Sequence, residues 1–66
     1  MHLDKVKSKT FLLVLNKTQS EIAQNSGLSQ RWVGAAFNGR SISEKTARRI
    51  AAALGVDVAS IVKEEN

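Results

Sequence analysis

Most side chains in this 66-residue chain that could do chemistry are cationic. Residues 5–49 carry nine lysines and arginines against two carboxylates, Glu21 and Glu44. From residue 50 onward the balance reverses, with Lys63 set against Asp57, Glu64 and Glu65. A basic body with an acidic tail suits a polyanionic partner, because lysines and arginines that displace phosphate counterions bind tightly at low salt. A merely solvated surface would carry the same charge. Groups for bond-making chemistry are scarce. The lone histidine, His2, lies in an end expected to fray, and there is no cysteine to form a disulfide or a thiolate metal site. No carboxylate pair, nucleophile with a base, phosphate-cradling loop or metal-spaced cluster stands out. Glu64-Glu65 reads as a solvated terminal run. The expectation is a protein that is not an enzyme and takes no metal or cofactor.

A second unusual feature is the stretch "SQRWVGAAFNGR", residues 29–40, which holds the only tryptophan and two of the four glycines. Val33, Ala36 and Phe37 recur at i, i+3 and i+4, the apolar stripe of a helix. The opposite face is not filled with Glu and Lys as a solvated face would be. It starts with Gln30 and Arg31 and then shrinks to Gly34 and Ala35.

The elements that must carry these residues are helical. Apolar residues make up 42% of the chain and proline is absent, which favours one small all-α domain over residues 1–66. Punctuation marks five helices. The first runs from about Asp4, a cap, to Leu15, with Asn16 just past its end. Its "FLLVL" run could pass for a strand, but nothing β-rich exists to pair with it. The second opens at "TQSE", where Thr18 and Glu21 match a capping box. It buries Ile22 and Ala23 and breaks at Gly27, which is free to take positive φ. The third begins at the cap Ser29 and ends at Asn38-Gly39. The fourth, capped by Ser41 or Ser43, carries a stripe of Thr46, Ala47, Ile50, Ala51 and Leu54 and stops at Gly55. The fifth is short, from Asp57 to about Lys63, with Val58, Ile61 and Val62 apolar.

Only about three residues around Gly27 join the second and third helices. A link that short forces a sharp crossing, with the small Ala23 at the close approach and Leu28 and Val33 in the core between. "TQSEIAQNSGLSQRWVGAAFNG" is therefore a helix–turn–helix over about 19–37.

On "TQSEIA", "GLSQ", "VGAAFNG" and "ARRIAAALGV", the chain resembles the lambda-repressor-like family of DNA-binding domains, the Cro and phage-repressor type, over roughly residues 11–62. That resemblance implies a five-helix, all-α domain. It also implies a phage or bacterial transcriptional regulator that binds double-stranded operator DNA as a homodimer, with the recognition helix, about 30–37, in the major groove. Carried over position by position, it assigns base reading to Gln30 and Arg31. Glutamine can pair bidentately with adenine and arginine with guanine. Arg31 departs from the small or amide residue expected there, so a phosphate is its other partner. Gly34 and Ala35 would let the helix lie deep, with the Ala35 methyl free to pack on a thymine methyl. Gln19 would meet a phosphate at the start of the second helix, and Asn38 another after the third. Arg40, Ser43 and Lys45 would form a further backbone clamp beside Ser41, with Lys17 a vaguer contact. Trp32, on the flank of the helix, either packs over the fourth helix or the turn, or lies against sugar–phosphate.

The other reading is a protein-interaction module or antitoxin-type subunit using the same fold. "FLLVL" is more apolar than one face of a small bundle can bury, and surplus apolar surface marks interfaces. A homodimer joined through Val58, Ile61 and Val62 would absorb part of it. The bare third helix favours DNA. No apolar run approaches the roughly 18 residues of a membrane span, and "MHLDKVKSK" lacks the features of a signal peptide. A cytoplasmic protein is expected, with no small-molecule ligand. The length suits a Cro-like regulator complete in one domain.

Overall fold

The computed structural model describes residues 1–63; Glu64-Glu65, expected to be a solvated run, lies outside the described residues. The chain folds into four α-helices: α1 (Lys5–Val14), α2 (Gln19–Ser26), α3 (Gln30–Phe37) and α4 (Glu44–Leu54). The expected fifth helix over 57–63 is instead a single 3₁₀ turn, Val58–Ser60. Among the described residues the architecture is therefore four α-helices, not five. Asp57 does cap the turn, accepting from the Ala59 amide. The chain then leaves the helical path because its backbone is claimed from outside. Asp4 N donates to Ile61 O at 2.7 Å, and Lys63 N donates to His2 O at 2.8 Å. A nucleus of so few residues, several of them β-branched, does not outcompete that pairing.

Each helix starts on a side chain that satisfies orphan amides. Asp4 accepts from Lys7 N, Ser29 from Trp32 N, and Ser43 from Thr46 N, which decides between Ser41 and Ser43. Thr18 and Glu21 complete the capping box, with Glu21 N on the Thr18 hydroxyl at 3.1 Å and Thr18 N on Glu21 Oε1 at 3.2 Å. Gly27 ends α2 at φ 75°, a left-handed conformation that swings the chain sharply into α3.

The buried core joins Ile22 and Ala23 of α2 to Val33, Ala36 and Phe37 of α3. Ala47, Ile50, Ala51 and Leu54 of α4 complete it, with Leu12 of α1 and Ile61. The stripes expected on α2 and α3 are the ones buried; on α4, Thr46 is only half-buried. On α1 the register of "FLLVL" buries only Leu12. Leu13 is 82% exposed and Val14 72%, and Val6 on the same helix is 75% exposed.

The N-terminus does not fray. Leu3 is fully buried, and residues 1–3 lie between two other segments as isolated antiparallel bridges, His2 with Ser41 and Leu3 with Val62. The Met1 amine donates to Ile42 O at 3.0 Å, and Ile42 N donates back to Met1 O at 2.8 Å. This clasp fastens the α3–α4 loop to the tail.

Candidate nucleic-acid interface

α3 presents the surface that its sequence leaves bare. Burial of Val33, Ala36 and Phe37 fixes the rotation of the helix, so Gln30 and Arg31 emerge exposed in its first turn. Gly34 and Ala35 follow, half-buried, one turn on. Gln19, the first residue of α2, reaches across to them. Its Oε1 lies 3.4 Å from where a Cβ on Gly34 would stand. The sharp crossing at Gly27 thus brings the start of α2 over the middle of α3, and the missing side chain of Gly34 leaves room for the amide.

Asn38 stands at the other end as the C-cap of α3, and its Oδ1 accepts from Lys9 Nζ at 3.1 Å. The backbone carries on with Arg40 N donating to Ala35 O, which folds the loop back on the helix. Arg40 places its guanidinium 5.6 Å from the centre of the Trp32 ring, a cation–π contact. Trp32 is half-buried and packed against the core, with Arg40 over its ring. Ser43 spends its side chain on the start of α4, accepting from Thr46 N and donating to Thr46 Oγ1. Lys45 is exposed one residue into that helix.

Lys17 has partners within the chain. Its ammonium donates to Ala53 O at 3.1 Å and Leu54 O at 3.3 Å, the last carbonyls of α4. A cation at a helix C-terminus is held by both the orphan carbonyls and the helix dipole. Of the stripe expected to join two copies, Ile61 is fully buried in the chain's own core. Val58 and Val62 remain half-buried, and the most exposed of the large apolar side chains, Val6, Leu13 and Val14, sit on α1 instead. Arg48 pairs with Glu44 at 3.7 Å on the exposed face of α4.

Two contacts escape the sequence reading. The His2 ring hydrogen-bonds Gly39 O through Nδ1 at 2.8 Å, and Lys9 engages Asn38. The apolar Leu3 just ahead of the cap Asp4 is the one local sign that the N-terminus is anchored. Nothing local announces the Lys9–Asn38 pair.

Helix-crossing geometry, a bare outer face and basic residues in and beside the loop after α3 come together around α3. A helix-turn-helix family model matches residues 12–61, well over half of the chain. The chain belongs to the lambda-repressor-like helix-turn-helix family. That is a DNA-binding regulatory family, and α2 and α3 are its helix–turn–helix. No curated protein and no solved structure matches the chain. Among the described residues no helix is long and apolar enough to cross a membrane, and no group of three or more His, Cys, Asp or Glu side chains is placed to hold a metal.

Proposed function

We propose that this helix-turn-helix protein is a cytoplasmic Cro- or repressor-type regulator that reads a specific operator as a pair of copies, with α3 in the major groove. One observation carries the reading. The exposed face of α3 offers planar hydrogen-bonding groups, Gln30 and Arg31, and then only Gly34 and Ala35, under the Gln19 amide. A helix in water has no use for so bare a face, whereas a helix in a groove needs one to bring its backbone close to base edges. In this reading Gln30 and Arg31 read bases, and Gln19, Asn38, Arg40 and Lys45 hold phosphates. Ser43 leaves the α4 N-terminus facing the same strand. Two copies on a palindrome would set half-sites about 34–36 Å apart.

Selection from a random duplex pool tests the reading, combined with binding at several salt concentrations. A palindromic consensus is expected, with affinity falling steeply as salt rises. Arg31→Ala should relax preference at one base pair per half-site, costing about 1–3 kcal/mol on the selected sequence and little on random DNA. Affinity that is flat with salt would sink the proposal and favour a protein-interaction module, for which the exposed Val6, Leu13 and Val14 on α1 offer surface.

A further inference from the structure

The Asn38 side chain is held from a distant helix. Lys9 of α1 donates from Nζ to Asn38 Oδ1 at 3.1 Å, across 29 residues. The core sets the backbone at both ends of this pair. On α1, Ser8 and Leu12 are buried and fix the rotation of the helix. That rotation leaves Lys9 half-buried, whereas Lys5 and Lys7 are exposed. Asn38 directly follows the fully buried Phe37, and its backbone amide donates to Gly34 O and Ala35 O. Only side-chain torsions remain for the Lys9 bond to fix.

The chemistry of that bond decides what the amide can offer elsewhere. An ammonium donates and never accepts, so the Asn38 atom against Lys9 is the carbonyl oxygen. The NH2 group is then the other branch of the amide, with both of its protons left for another partner. An asparagine without such a brace turns oxygen or NH2 outward with similar ease. A phosphate oxygen accepts only, so one of those two orientations opposes it. Holding the oxygen therefore prepays part of the ordering that a phosphate contact requires. A cation on the oxygen also polarises the amide and strengthens its N–H donors.

We propose that Lys9 is a positioning residue for duplex binding, whose bond to Oδ1 turns the Asn38 NH2 group toward the DNA strand passing the end of α3. The proposal rests on the DNA-binding reading above, in which Asn38 holds a phosphate. It gives α1, which lies outside the helix–turn–helix, a part in binding.

A double-mutant cycle on the full chain tests it. Lys9→Met should weaken duplex binding about twofold or more in the wild type and have almost no effect in the Asn38→Ala background. Lys9→Arg, which can still donate to Oδ1, should keep most of the affinity. Lys7→Met removes the same charge from an exposed position on α1, and its effect should be equal in both backgrounds. The unfolding midpoint should not move with Lys9→Met, because the pair is exposed. In the free protein the side-chain NH2 resonances of Asn38 should shift with Lys9→Met and stay in place with Lys7→Met. If Lys9→Met weakens binding equally in both backgrounds, the lysine acts on the DNA by itself and the proposal is overturned. Unchanged affinity, or unchanged Asn38 NH2 resonances, overturns it as well. In each of those cases a duplex-binding wild type leaves the DNA-binding reading standing. If the wild type binds no duplex, that reading fails and the proposal falls with it.

Discussion

Gly34→Ala separates the demands of folding from those of binding, because the two should move in opposite directions. Gly34 sits inside α3 with ordinary helical backbone, where glycine is about 0.8–1.0 kcal/mol worse than alanine. The new Cβ would stand 3.4 Å from Gln19 Oε1, ordinary van der Waals contact with the tip of a flexible side chain. Little strain offsets the gain, so the variant should be more stable by up to about 1 kcal/mol. In a domain of this size that raises the melting temperature by roughly 4–8 °C. On DNA the same methyl stands on the face that must approach the bases. If it lifts α3 enough to lose even one good side-chain-to-base pair, the cost is about 1–3 kcal/mol. That is roughly a fivefold to more than a hundredfold loss of affinity. Thermal unfolding by circular dichroism and duplex binding by fluorescence anisotropy measure both effects on the same sample. A lower melting temperature would mean that the glycine serves internal packing. A higher one with undiminished affinity would mean that this face does not lie against DNA. Either result refutes the reasoning.

Lys17 and Arg40 are the other informative cations. Lys17→Met should cost about 1 kcal/mol of stability by stripping the last carbonyls of α4 of their cation, and leave the salt slope of duplex binding unchanged; chemical denaturation and a salt series check both halves. Arg40→Ala should shift the emission of Trp32, the only tryptophan, and weaken specific and random duplexes alike. In a double-mutant cycle with Trp32→Leu, binding losses that fall short of additive by about 0.5–1 kcal/mol would show that the ring positions the guanidinium, and strict additivity would separate the two residues.

Helix starts were legible in the sequence because caps act over three residues. Asp4, Thr18, Ser29 and Ser43 each bond an amide within that distance. The helix–turn–helix was legible for the same reason. Gly27, Ala23 and the stripe of Val33, Ala36 and Phe37 encode a crossing within some fifteen residues, and from that crossing follows a bare face led by Gln30 and Arg31. The tail misled. Asp57 and the apolar Val58, Ile61 and Val62 resemble a helix locally, and the competitor for their backbone lies at residues 2–4.

The sequence alone therefore determined the local geometry: where helices begin, which face of α3 is empty, and that the chain is a basic, DNA-binding type of fold. Tertiary structure decided what depends on partners distant in the chain. Lys17 is committed to carbonyls 36 and 37 residues away, Asn38 is held by Lys9 across 29 residues, and His2 is tied to Gly39 across 37. Hydrogen bonds of that separation leave no periodic or spacing trace, because the chain between them is positioned by core packing. The same packing sorted the apolar residues of the tail and of α1. It drew Ile61 inside, and it left Leu13 and Val14 outside, since α1 has only one face to offer the core.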